Sequence, residues 1–262
     1  MLNWYLGTMG FSYKDWKGVF YPDGTAVRDY LAHYSQFFNA VEMDSTFYGP
    51  PREETVSRWA QITPPEFKIC PKMPKEITHE RGLVTTGEAA ELFVDRMRPL
   101  GDKLGPILIQ LPPDFAFDQR YVLTAFLAHL PTDVRYAVEF RDSSWHATET
   151  GEILQRYHVC WASTEYLYLP QRVYVTTDFI YVRWIGHHGR YDLKDHERVD
   201  MTPRLQEWYD DIQSRSAEFN TVFGFFNNDY AGHSPATCNR FKEIVGLPTK
   251  PLQPPTQGKL FD

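Results

Sequence analysis

The feature that most limits what this chain can become is an alternation repeated about eight times. Short apolar segments fall at 3–10, 40–47, 67–74, 105–112, 136–142, 158–165, 179–186 and 221–228. Between most of them lie stretches with helical spacing of apolar residues, at 26–38, 52–62, 87–104, 118–130, 146–157, 202–219 and 234–246. Helix-start signals are visible at Thr85 or Thr86 before Glu88, at Thr202 with Pro203, and at Ser234 with Pro235. Only the link at 166–178 has a weak helical pattern. Strand and helix in alternation specify a parallel sheet with crossover helices. Eight units in 262 residues suit one closed (β/α)8 barrel of the TIM type, an α/β fold. An open doubly wound sheet is the alternative, but it would carry a glycine-rich phosphate turn after its first strand. Here Gly7-Thr8-Met9-Gly10 runs into Ser12, Tyr13 and Lys14 without that fingerprint. The barrel is expected to span 1–247, with 248–262 as an extended arm holding four prolines.

One stretch, FNAVEMDSTFYGPP at 38–51, puts acidic residues among apolar ones. With alternation along a strand, Glu42, Asp44 and Thr46 share one face, and Val41, Met43 and Phe47 the other. The apolar set belongs against helices, so the acidic set should face the barrel axis near the strand's C-terminal end, where barrel active sites sit. The same alternation turns Cys70 and Lys72, Leu108 and Gln110, Glu139 and Arg141, and Tyr181 and Arg183 inward. Asn227 and Asn228 close the eighth strand, His233 follows, and Tyr13 and Tyr48 fall in loops of the same rim. Three carboxylates and three cations thus converge. Left unpaired in a low-dielectric interior they would be costly, so they must pair or bind something. An ion-pair network that only pins strands together is the plain alternative, although apolar side chains would do that more cheaply.

The motifs GTMGFSYKDWKGVFYP, FNAVEMDSTFYGPP, FKICPKMPKEITHE, GPILIQLPPDF, YAVEFRDSSW and FGFFNNDYAGHSPATCNRF together closely resemble the YecE-like family, domain-of-unknown-function family 72. That resemblance covers nearly the whole chain. It implies a TIM-type barrel and supplies no established reaction, so chemistry must be argued from residues.

Carboxylate acid/base chemistry makes Glu42, Asp44 and Glu139 the first candidates, with Lys72 and His233 as further catalytic groups. Arg141 and Arg183 suit an anion clamp. Tyr13, Thr46, Tyr48, Gln110, Tyr181, Asn227 and Asn228 complete the expected binding surface, with Trp16, Tyr48 and Tyr181 available for stacking. The ligand expected is small and anionic or sugar-like. Common barrel glycosidases carry acids on strands four and seven, where this chain has Gln110 and Arg183. Metal-assisted phosphodiester or abasic-site chemistry on DNA would need converging ligands. Glu42, Asp44, Glu139 and His233 are available, but His79, His146, His187 and His188 fall in loops and no strand has an H-x-H or H-x-D pair. No metal is therefore assigned, and no cofactor is named by any motif. Lys72 could serve a Schiff base, although neighbouring acids favour an ion-paired ammonium.

A non-catalytic binding protein is the reading of another class. Gln257, Leu260 and Phe261 form a Q-x-x-L-F end resembling the short peptide by which bacterial DNA polymerases and repair proteins bind the sliding clamp. The clamp, and with it DNA, are candidate partners. A net charge of −7 speaks against a broad nucleic-acid surface. Cys70, Cys160 and Cys238 are far apart without a C-x-x-C pair, which fits a reducing cytoplasm. The first residues lack a secretory pattern, and no apolar run reaches the ~20 residues of a membrane helix.

Overall fold

A computed structural model describes residues 2–252. Each of the eight apolar segments contributes strand. They are β1 (Asn3–Thr8), β2 (Ala40–Met43), β3 (Lys68–Pro71), β4 (Ile107–Gln110), β5 (Tyr136–Glu139), the pair β6 (Cys160–Trp161) and β7 (Ser163–Glu165), β8 (Phe179–Trp184) and β9 (Thr221–Phe226). Every pairing is parallel. The ladders run β1-β9-β8-β7, β4-β5-β6 and β2-β3. Single parallel bridges link Met9 to Glu42 and Lys72 to Leu108 across the remaining neighbours. The fold is mixed α/β with parallel sheets, as the alternation required.

Helices follow most strands: α1 (Tyr30–Tyr34), α2 (Glu53–Ile62), α3 (Gly87–Met97), α4 (Arg120–Leu127), α5 (Thr148–Arg156), α6 (Thr202–Ser214), α7 (Asn228–Ala231) and α8 (Ser234–Ile244). In α3 the buried residues Ala90, Phe93, Val94 and Met97 recur at helical spacing, forming the stripe that packs inward. Each large side chain so buried contributes roughly 1.5–3 kcal/mol. The weak pattern at 166–178 forms no helix. The three hydroxyl start signals do not cap their helices through the side chain. Thr86 instead donates to the Leu83 carbonyl, and Ser234 donates to Asn228 Oδ1.

The strands have two apolar faces that fall into separate clusters. Val41, Ile69, Ile109, Val138 and Val182 pack with the helices. Ala40, Cys70, Leu108, Ala137, Cys160 and Tyr181 pack with one another on the opposite face. Gly7 allows β1 to approach β2. A Cβ there would sit 1.9 Å from the Ala40 carbonyl oxygen. Tyr34 seals this junction, accepting from Thr8 N at 2.7 Å and donating to Ala40 O at 3.0 Å.

Candidate functional site

The expected ionisable residues lie at the C-terminal ends of the parallel strands, or just beyond. Arg183 on β8 is the hub. Its Nη2 reaches Glu42 Oε1 at 2.6 Å, its Nε reaches Glu42 Oε2 at 2.9 Å, and its Nη1 reaches Glu139 Oε2 at 2.5 Å. Tyr181, two residues earlier on the same face, donates to Glu42 Oε2 at 2.7 Å. Arg141 Nε donates to Glu139 Oε1. Both carboxylates are completely buried. Burial raises the proton affinity of Glu42, and Arg183 only partly offsets this. Burial acts on Glu139 too, but Arg141 and Arg183 together overcome it and hold its pKa at about 2.

Above this floor opens a cavity of ≈ 460 Å³, lined by Met9, Ser12, Tyr13, Asp44, Phe47, Tyr48, Lys72, Gln110, Arg141, Arg183, His188 and Asn227 among others. Asp44 is its one carboxylate among the described residues. Lys72 Nζ stands 3.9 Å from Asp44 Oδ1 and 4.2 Å from the Phe47 ring centre, with no hydrogen-bond acceptor among the described residues. Burial lowers its proton affinity, while Asp44 works in the opposite direction. Arg141 lies over the Tyr166 ring, its Cζ 4.0 Å from the ring centre. Only its Nε is engaged, so its two terminal nitrogens have no protein acceptor among the described residues. Gln110 donates to the Leu111 carbonyl at 3.1 Å and lies 3.3 Å from His79 Nε2. Asn227 accepts from Asp229 N at 2.9 Å, which fixes its side chain at the start of α7. Tyr13 is held by a bond from its hydroxyl to Met9 O, and Tyr48 is 77% exposed at the mouth.

Several expectations need correction. β2 stops at Met43, and the chain turns into a 3-10 helix at Asp44–Tyr48, so neither Asp44 nor Thr46 continues the strand alternation. Asp44 reaches the cavity from that helix instead. Thr46 points into the wall: its hydroxyl contacts Met43 O and Lys72 O and accepts from Lys72 N at 2.9 Å. It positions Lys72 and does not line the cavity. Glu42 and Glu139 are closed off beneath Arg183, so neither lines the cavity as a general base must. Tyr181 and Trp16 are fully buried and present no face for stacking.

Asn228 is consumed by structure, its Oδ1 accepting from Trp16 Nε1, Ser234 N and Ser234 Oγ. His233 packs edge-on against Trp16 and lines a different cavity with Asp195 and His196. Gln257, Leu260 and Phe261 lie outside the described residues. Phe47, expected against the helices, lines the cavity instead, because the 3-10 helix at Asp44–Tyr48 breaks the strand alternation; Met9 and His188 were not among the expected site residues. His188 follows β8 closely, contacts Asp229 Oδ2 at 3.6 Å and lines the cavity; the adjacent pair His187-His188 was the available signal.

Among the described residues no group of three or more His, Cys, Asp or Glu side chains could hold a metal ion. None of the described helices is long and apolar enough to cross a membrane. A family model described as "Protein of unknown function DUF72" matches residues 5–259. The chain belongs to the DUF72 family. It is 35% identical over 117 residues to the UPF0759 protein YecE of Escherichia coli K12, covering 45% of this chain and 43% of that protein. It is 31% identical over 150 residues to the UPF0759 protein YunF of Bacillus subtilis 168, covering 54% and 51%. The chain thus spans about half the length of the curated relatives it matches. A DUF72 protein of Thermotoga maritima superposes with a TM-score of 0.78 at 28% identity, covering 93% of this chain and 99% of that one. One from Enterococcus faecalis V583 shares the fold at a TM-score of 0.78 and 20% identity, covering 99% and 100%.

Proposed function

We propose that the strands of this DUF72 protein form one closed eight-stranded barrel, and that its cavity is an enzyme site for a small anionic, hydroxylated compound. The parallel ladders, with the bridges at Met9–Glu42 and Lys72–Leu108, support the closed ring. One observation carries the ligand class: the terminal nitrogens of Arg141 and the amine of Lys72 face a cavity with no protein acceptor among the described residues. A phosphate or carboxylate would complete those unspent donors, and Arg141 offers the planar fork that suits it.

Beneath, Arg183 with Glu42 and Glu139 forms a fixed polar floor that holds Arg141 in orientation. Asp44 is the accessible carboxylate and takes the role of general base. Tyr13, Tyr48 and Asn227 offer polar contacts and an aromatic edge for hydroxyl-bearing carbon. Thermal shift against phosphorylated and carboxylated sugars, with neutral sugars as controls, tests this. Anionic members should stabilise the wild type, since a ligand at 100 times its Kd adds about 2.7 kcal/mol. Arg141→Gln should abolish the shift. Equal response to neutral sugars, or a full response in Arg141→Gln, would overturn the assignment.

A further inference from the structure

We propose that Lys72 is the nucleophile of this cavity, its amine adding to the carbonyl carbon of an aldehyde or ketone whose anionic group is held by Arg141. The assignment rests on the anion-binding cavity proposed above. The contrast with other lysines of the same chain is its basis. Lys103 donates to Ala60 O and Thr63 O, Lys242 to Phe37 O, and Lys68 to Asp102 O. Each supports backbone carbonyls as a structural ammonium does. Lys72 is only 8% exposed, yet among the described residues its amine makes no such bond and has the Phe47 ring centre 4.2 Å away as its close neighbour. Its nearest carboxylate oxygen, on Asp44, is 3.9 Å away, beyond hydrogen-bond reach.

A buried ammonium without acceptors is costly, and a neutral amine much less so. Arg183 in the same cavity also disfavours a further positive charge. Burial accordingly lowers the proton affinity of Lys72, with Asp44 and the two floor carboxylates opposing. The Thr46 hydroxyl accepts from the peptide nitrogen of Lys72 and donates to its carbonyl oxygen, so the Lys72 backbone is fixed while its amine is not consumed.

The step balances without any further reagent. The amine lone pair forms the C–N bond while the carbonyl π pair moves to oxygen, and Asp44 carries one nitrogen proton to that oxygen, giving a neutral carbinolamine. Asp44 then takes the second nitrogen proton and delivers it to the hydroxyl. That group leaves as water, and the nitrogen lone pair forms the C=N bond. The products are an imine on Lys72 and one water.

The test uses the full chain with glycolaldehyde phosphate and sodium cyanoborohydride, followed by peptide mass spectrometry. Lys72 should carry the reduced adduct before exposed Lys14 and Lys17 do, and excess inorganic phosphate should slow only Lys72. Lys72→Arg keeps a hydrogen-bond donor at this position and cannot form an imine. It should lose the fast adduct, and its cooperative unfolding without ligand shows that it folds; the wild type gives the Arg141-dependent thermal shift with a non-carbonyl phosphate such as glycerol phosphate. Labelling spread evenly over exposed lysines, with that thermal shift intact, overturns the nucleophile and leaves the anion site standing. Absence of both overturns both.

Discussion

Arg183 is the residue on which the floor of the site depends, and Arg183→Met measures how much. In the native fold its guanidinium serves two carboxylates that are both completely buried. After the substitution Glu139 keeps Arg141, but Glu42 keeps only the Tyr181 hydroxyl. Removing one partner of a buried ion pair costs about 3–5 kcal/mol, because the orphaned charge stays desolvated. For a chain of this size 1 kcal/mol moves Tm by roughly 2–4 °C, so the expected fall is about 6–20 °C. Differential scanning calorimetry at pH 7 reads it.

Two controls follow from the same cause. Adding Glu42→Gln to Arg183→Met removes the orphaned charge and should recover most of the loss. Lowering the pH should also shrink the deficit, since burial already raises the proton affinity of Glu42 and a protonated Glu42 needs no cation. A loss under ~1 kcal/mol at pH 7 would refute the reasoning. So would a double variant no more stable than the single one.

Gly7→Ala should destabilise by more than ~3 kcal/mol, because the new methyl meets the Ala40 carbonyl at 1.9 Å; a normal urea midpoint would show that β1 and β2 can move apart. Thr46→Val should cost about 1–3 kcal/mol by orphaning Lys72 N, and Thr46→Ser should restore it; equal stabilities of the two variants would contradict the hydroxyl's role. His233 is held neutral, burial lowering its pKa to about 4 with Asp195 opposing. The folded state then binds fewer protons than the unfolded chain, so this contribution is full above ~6.5 and is lost as pH falls toward 4. At 1.36 kcal/mol per pKa unit it amounts to at most about 3 kcal/mol. Urea titrations between pH 7.5 and 4.5 should therefore show a flatter dependence in His233→Gln; parallel curves would exclude it.

The inward face was legible wherever the chain stays a strand. Glu42, Glu139, Tyr181 and Arg183 lie on regular β2, β5 and β8, and simple alternation places them together. It failed at Asp44 and Thr46 because β2 ends after four residues and the period changes at the turn. Rim residues were harder. Asn227, Asn228 and His233 are neighbours in sequence, yet only Asn227 lines the cavity, since α7 carries the others to Trp16 and away.

By itself the sequence determined the elements and their order, because periodicity of burial is a local property that each segment carries alone. It also placed Glu42, Glu139 and Arg183 on the inward faces of their strands. Which of them would be spent on one another was decided by tertiary structure. Pairing depends on distances between strands 44 to 141 residues apart, such as Arg183 to Glu139 and to Glu42. Those distances close Glu42 and Glu139 beneath Arg183. They leave Lys72, Arg141 and Asp44 facing the open cavity.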